Sequence, residues 1–230
     1  FFISSCRKAD RDTDTATEMI SDNAHSTYYF NDIFVQIHQL ALSDSSLNAI
    51  GSFFISDTAC MDTVTHTNLP GYFPDTITVN YGLENGTACE DGNFRRGKLK
   101  MIFSGKYGAS PKNCSVIPEN YYLNDTKIEG QITIYSKGRN TNPGNLYFFV
   151  QINNGIISND SLRLEYFAPA NSQSVSFQRE WISGESTSIV SDDVFLLTGT
   201  YGGVASKGTS YTNEISSGLR DQVDCKWISG

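Results

Sequence analysis

After residue 70 the apolar residues recur at every second position, and this period constrains the fold more than any other feature of the chain. Ile77, Val79 and Tyr81 alternate with Thr76, Thr78 and Asn80, and Leu99, Met101 and Phe103 with Lys98, Lys100 and Ile102. Ile128, Ile132 and Ile134 share a face opposite Lys127, Glu129, Gln131 and Thr133. Successive side chains of a strand point to opposite faces, so each run predicts a half-buried strand. Residues 146–152 (Leu-Tyr-Phe-Phe-Val-Gln-Ile) are apolar on both faces, which predicts a central strand. Leu162–Tyr166 reads as a further strand, as does Val175, Phe177 and Trp181, a face that Arg179 interrupts. Val194 to Thr198, Tyr211 to Ile215, and Val223, Cys225 and Trp227 complete the set. Asn85-Gly86, Asp91-Gly92, Asn124-Asp125, Asn142-Pro143-Gly144, Asn153-Asn154-Gly155, Asn159-Asp160, Gly202-Gly203 and Lys207-Gly208 stand between the runs as turn signals. No helix-period segment separates the strands, which argues against βαβ crossovers. The fold class is therefore mainly β: an antiparallel β-meander, or sandwich-like sheet, with one N-terminal α-helix.

That helix is read over about 22–43. Phe30, Ile33, Phe34, Ile37, Leu40 and Ala41 recur at helical spacing, with Asp32, Gln36 and Gln39 on the opposite side. Ser21 or Asp22 is placed to cap its start, and the run Ser43–Ser46 ends it. Tyr28, Val35 and Leu42 form a second, thinner apolar line that predicts partial burial against another surface. His38 lies beside that line and reads as a boundary histidine. Glu180-Trp-Ile-Ser-Gly184 recurs as Lys226-Trp-Ile-Ser-Gly230, which suggests two equivalent strand-to-turn positions.

The 230 residues carry 17 Lys and Arg against 25 Asp and Glu, so the net charge of −8 makes nucleic acid a poor partner. Aromatic content of 12% is too high for a disordered chain, and no apolar run reaches the 18 or so residues of a membrane span. The N-terminus points to an extracytoplasmic setting. Phe1-Phe2-Ile3-Ser4-Ser5-Cys6 is an apolar stretch ending in small residues, followed at once by charge from Arg7. Ile3-Ser4-Ser5-Cys6 has the form of a lipobox, in which the Cys6 thiol is the acylation nucleophile and carries palmitate-type chains. The expected organisation is a signal-peptide remnant over 1–5, the lipidated cysteine and a polar tether over 6–20, and one β-rich domain over 21–230. The chain lacks a starting Met and a basic leader, and it ends on a turn motif, so truncation at both ends is expected. Asp10-x-Asp12-x-Asp14 lacks the turn glycine and bidentate glutamate of a calcium loop and reads as part of the tether. With Cys6 set aside, Cys60, Cys89, Cys114 and Cys225 are candidates for disulfides, and Cys60 with Cys89 is the favoured pair because they flank a single predicted strand. There is no C-x-x-C, and His25, His38 and His66 have no ligand spacing, so no metal is expected. No cofactor is expected either.

Four stretches carry a family resemblance: Cys89–Tyr107 (Cys-Glu-Asp-Gly-Asn-Phe-Arg-Arg-Gly-Lys-Leu-Lys-Met-Ile-Phe-Ser-Gly-Lys-Tyr), Tyr121–Gly130, Gly208–Thr212 and Cys225–Gly230. Together with the lipobox they resemble uncharacterised lipoproteins of Bacteroidota, especially of flavobacteria, over roughly residues 75–230. The resemblance implies further strands and another cysteine beyond the last Trp-Ile motif, which puts the pairing of Cys225 in doubt. It brings no catalytic residue. Secreted proteins of that phylum are O-glycosylated at Asp-Ser/Thr-apolar triplets, which makes Thr15, Thr58, Thr63, Thr76 and Ser161 candidate sites. Thr58 and Thr63 are the best placed, in what reads as an irregular stretch over 51–70.

No G-x-S-x-G, H-E-x-x-H, Walker or dinucleotide motif is present. Glu129, Glu165, Asp192, Asp193 and Asp224 are the candidate acids and are expected to face solvent. The Arg95, Arg96, Lys98 and Lys100 cluster reads as the wet face of a strand. Tyr121, Tyr122, Trp181 and Trp227 are candidates for stacking on a sugar ligand. The expected function is that of an outer-membrane-anchored lipoprotein, facing the periplasm or the cell exterior, with a non-enzymatic binding or surface-assembly role. Its expected partners are the membrane, through the lipid, and another outer-membrane protein or a glycan. Two alternatives stand beside it: a glycan-processing hydrolase using strand-borne carboxylates, and a periplasmic carrier of lipids or other hydrophobes.

Overall fold

The computed structural model describes residues 15–50, 60–82, 86–141, 144–159, 162–166, 175–225 and 228–229. The lipobox with Cys6, and the candidate residues Thr58, Ser161 and Trp227, lie outside them, as do the side chains of Thr15 and Glu165. A 29-residue helix α1 (Thr15–Ser43) leads into β1 (Thr63–His66), β2 (Asp75–Asn80), β3 (Thr87–Ala88), β4 (Phe94–Phe103), β5 (Asn113–Leu123) and β6 (Thr126–Arg139). There follow β7 (Leu146–Asn159), β8 (Leu162–Tyr166), β9 (Val175–Ser183), β10 (Val194–Val204) and β11 (Ser210–Gln222). The strands form one 11-stranded sheet in the order β1-β2-β4-β5-β6-β7-β8-β10-β11, with β3 added to β4 and β9 seated between β7 and β10. Every strand pairing is antiparallel, as the alternation and turn signals predict.

The sheet curls around α1. Hydrogen bonds tie the helix to elements all along the strand order: Gln36 accepts from Tyr81 after β2, Asp32 accepts from Tyr121 on β5, and Asn31 donates to Asp221 on β11. Phe34 packs edge-on against Phe148 of β7 and Phe195 of β10. This wrapping explains why the helix is not two-faced. Ile33, Phe34 and Ile37 are buried as expected, but so are Asp32 and Gln36 on the side read as polar. Leu42 of the thinner apolar line is also buried, while Tyr28 and Val35 are half-buried. Asp22 does not cap the helix; its carboxylate accepts from the backbone N–H and hydroxyl of Ser206, in the turn between β10 and β11. The helix begins at Thr15, inside the segment read as tether. Ile20 there is exposed, so those first turns extend the packed part, where adding a residue to an existing helix is cheap.

Several strand boundaries also differ from the sequence reading. Asn153-Asn154-Gly155 is not a turn but lies within β7, where Asn154 takes a positive φ of 52°. At this point β7 changes partners, pairing with β9 over 146–152 and with β8 over 155–159. Gly202-Gly203 lies inside β10, and the turn falls at 205–209. Asn124-Asp125 is the two-residue hairpin turn expected, with φ of 47° and 64° between β5 and β6. β7 is central, yet only one of its faces is in the core. Tyr147 and Phe149 are half-buried on the outer face, where Phe149 lies beside Tyr135 with the Lys137 ammonium over both rings. Residues 223–225 form a turn rather than a strand, after which Ser229 exchanges two backbone bonds with Arg220. The two Trp-Ile-Ser motifs thus both place their serine on an antiparallel pairing, Ser183 with Val194 and Ser229 with Arg220.

Cys60 and Cys89 form a disulfide with a Cα–Cα distance of 4.7 Å. The other two candidates are free and do not pair: Cys114 is buried on the inner face of β5, whereas Cys225 is exposed. Closing a loop of sequence separation 29 removes chain entropy from the unfolded state worth about 3–4 kcal/mol. Cys60→Ser/Cys89→Ser should therefore lower the urea midpoint by that amount of stability, and a loss below about 1 kcal/mol would show that the bridge contributes little.

Candidate functional site

The curled sheet leaves one stripe of α1 less covered than the rest. Tyr28, Asn31, Val35 and Gln39, three or four residues apart, are half-buried and floor a cleft of about 770 Å³. One wall is the β3–β4 hairpin with Glu90, Asp91, Asn93 and Arg95, and the other is the β9–β10 loop over Ser188–Ser191. Val223, Asp224 and Cys225, just beyond β11, complete the rim.

The electrostatic centre of this cleft is Arg95, and it is not the wet cation expected. Its position in the strand alternation puts it on the inner face of β4 with Leu99, Met101 and Phe103, and it is 2% exposed. The guanidinium binds Asp32 of α1 through Nε and Nη2, and Asp91 through Nη1 at 3.1 Å and Nη2 at 2.6 Å. Nη1 also lies 3.6 Å from the Cys60 sulfur, so the disulfide packs directly behind the ion pair. Tyr121, offered as a ligand-stacking residue, is instead fully buried and donates its hydroxyl to Asp32 at 2.7 Å. Burial works against the charge of Arg95, but Asp32 and Asp91 outweigh it and hold the guanidinium more firmly protonated than usual. For Asp91 burial likewise opposes the charge, yet Arg95 and Asn93 keep its carboxyl below the ordinary range. Tyr28 is pushed up to about 12 by burial and by Asp32, so its hydroxyl stays a donor, and it bonds Asn93 at 3.0 Å.

A second buried cluster lies deeper along α1. His38 is not at a boundary but fully buried, ringed by Phe34, Tyr107, Phe148, Trp181 and Phe195. Its Nδ1 lies 2.9 Å from the Tyr107 hydroxyl and its Nε2 2.9 Å from Asp193 Oδ2. Trp181 Nε1–H donates to Asp193 Oδ1 at 3.1 Å and to the Ser183 carbonyl at 2.8 Å. Asp193, expected at the surface, is thus buried, and so is Trp181, expected to stack on ligand. Gly184 is required here, because a Cβ at its φ of 101° would overlap Asp193. Hydroxyl, imidazole and carboxylate stand in the order of a hydrolytic relay, but Tyr107 is 2% exposed and the other two are sealed. With no path to a reacting atom, the three groups position α1 against the sheet rather than perform chemistry. Burial depresses the His38 pKa, and burial raises that of Asp193.

The remaining candidates do not converge. Tyr122 is half-buried on the outer face beneath the Arg96 guanidinium, 3.9 Å from its ring centroid. Glu129 bonds Lys127, Asp192 accepts from Thr187, and Asp224 lines the cleft. Thr63 is exposed, though on the edge strand β1 rather than in an irregular loop, and Thr76 is half-buried in β2. Among the described residues no cluster of His, Cys, Asp and Glu has the makings of a metal site, and no helix is long and apolar enough to cross a membrane. No protein-family model matches the chain, and no curated protein or solved structure matches it either.

Proposed function

We propose that the chain is an outer-membrane lipoprotein, held by acyl chains on Cys6, whose body binds a partner rather than catalysing a reaction. The cleft along α1 is the binding site of this reading, and its state of charge is the observation that carries it. The two carboxylates that approach one another there, Asp32 and Asp91, share one guanidinium. A general acid needs a raised pKa, and Arg95 holds the Asp91 carboxyl below its ordinary range instead. The concave side of the sheet, where a hydrophobe carrier would hold its cargo, is filled by Phe30, Ile33, Phe34 and Ile37 of α1. The amides of Asn31, Gln39 and Asn93, the hydroxyls of Ser188 and Ser191, and the ring of Tyr28 suit a hydroxyl-rich ligand such as a surface glycan. The lipid anchor is supported by the Ile3-Ser4-Ser5-Cys6 motif and its abrupt polar continuation.

Two measurements test this. Metabolic labelling with a palmitate analogue should mark the chain and leave Cys6→Ser unlabelled in the soluble fraction; a labelled, membrane-bound Cys6→Ser chain would sink the anchor. A glycan array should show binding that Tyr28→Ala weakens about tenfold or more. Release of new reducing ends from any bound glycan would replace binding with hydrolysis.

A further inference from the structure

We propose that the tip of the β1–β2 hairpin, Leu69–Tyr72, is a docking surface that inserts into an anionic lipid interface. Leu69 and Tyr72 are 73% and 68% exposed, two of the three most exposed large apolar side chains among the described residues. They are held there by a tight turn. Tyr72 N–H donates to the Leu69 carbonyl at 3.1 Å, Pro70 and Gly71 occupy the two central positions, and Gly71 has φ of 84°. This is the signature of a type II turn, and both flanking side chains stand in solvent. A Cβ on Gly71 would have no atom within 4 Å, so the tip stands clear of the rest of the protein.

The base of the hairpin is rigid. Thr67 bonds the Thr76 carbonyl through both its N–H and its hydroxyl, and Asn68 bonds Asp75 and the Pro74 carbonyl. His66 sits between Asp75 at 2.7 Å and Asp44 at 3.3 Å, which turns the two nearest carboxylates toward the protein. The ordering cost of an exposed apolar pair is therefore met before any contact is made.

The charge around the tip is opposite to that of the whole chain. β2 pairs with β4, β4 with β5 and β5 with β6, so the β1–β2 tip, the β4–β5 loop and the far end of β6 lie side by side. They present Lys106, Lys112 and Lys137, all exposed and none in an ion pair with a described residue. A row of cations next to an apolar tip, on a chain of net charge −8, is complementary to an anionic surface. The shape chooses lipid over protein. A convex tip with one aliphatic and one amphipathic aromatic side chain enters a fluid interface without needing a matching pocket, and lysine stems reach headgroups from beside it. The tip lies at the C-terminal end of α1, since Asp44 follows that helix, and α1 is about 43 Å long.

The inference does not rest on Cys6, and its test removes that residue. The full chain carrying Cys6→Ser is sedimented with phosphatidylcholine vesicles with and without phosphatidylglycerol. Phosphatidylglycerol should raise the bound fraction. Leu69→Ser/Tyr72→Ser should weaken binding about tenfold, and Lys106→Glu/Lys112→Glu/Lys137→Glu should weaken it at least as much and remove the dependence on phosphatidylglycerol. All five positions are exposed, and an unchanged thermal midpoint in each variant confirms that folding is intact. Failure to bind either vesicle, binding that ignores the tip substitutions, or binding that ignores the lysines overturns the proposal. So does capture of a protein through the tip in the absence of lipid.

Discussion

Arg95→Leu is expected to lower the stability of the fold by about 3–5 kcal/mol, because it leaves a charge in the interior without its partner. Arg95 and Asp32 have side chains 2% and 6% exposed, and among the described residues the guanidinium is the only cation that Asp32 bonds. Without it, Asp32 keeps one donor, the Tyr121 hydroxyl, and must either stay charged in an apolar setting or take up a proton. Asp91 is 46% exposed and can turn to water, so its share of the loss is small. The double variant Arg95→Leu/Asp32→Leu should recover most of the loss, since replacing a buried ion pair by apolar groups costs far less than breaking it. Urea unfolding of the two single variants and the double variant measures the coupling. A single-variant loss below about 1 kcal/mol would mean that water reaches the pair. The same substitution opens the wall of the cleft, so loss of ligand binding should accompany it.

His38→Ala should cost a similar amount, about 3–5 kcal/mol, for a different mixture of reasons: it leaves a cavity among five aromatic rings and strips Asp193 and Tyr107 of a partner each. The imidazole also makes the fold sensitive to acid. His38 is depressed below its unfolded value of about 6.5, so its contribution is complete above that pH and is lost as pH falls toward its folded value. The slope from one group reaches at most about 1.4 kcal/mol per pH unit. Asp193 is raised by burial and acts in the opposite sense, its contribution present below about 3.8 and lost as pH rises through its folded value. The Arg179 guanidinium also bears on His38 and favours the neutral imidazole. Thermal midpoints from pH 7.5 to 5 should therefore fall for the native chain and fall less for His38→Gln. Parallel curves would assign the acid sensitivity to other groups.

Two buried cations, Arg95 and Arg179, were partly legible in the chain itself. Arg95 shares its parity with Leu99, Met101 and Phe103, and Arg179 shares its parity with Phe177 and Trp181, so each stands on an apolar face. A charge in that register has to find a partner. The alternation could not name the partners, because they come from α1 and from a strand two places along the sheet: Asp32 for Arg95, and Asn31 and Asp221 for Arg179. The cleft left a fainter trace. Tyr28 and Val35, the thin second line on the helix, floor it together with Asn31 and Gln39, but the residues of its walls and rim lie some 50 to 200 positions away and share no local spacing with them.

What the sequence determined by itself was local. Period-two alternation and Asx turn pairs specified antiparallel strands and the β5–β6 hairpin, and helical spacing specified the apolar stripe of α1; the Cys60–Cys89 pair forms as expected, although three strands and not one lie between the two cysteines. These follow from the backbone geometry of a few neighbouring residues, which a linear chain records directly. The tertiary structure decided whether a polar residue faces water or the core. A helix beside a flat sheet would have kept Asp32, Gln36 and His38 in solvent; curling the sheet around α1 buried all three. Twist and bulges accumulate that curvature strand by strand, and no single segment encodes it. The same closure turned Tyr121 and Trp181 from candidate ligand surfaces into hydrogen-bond donors of the interior.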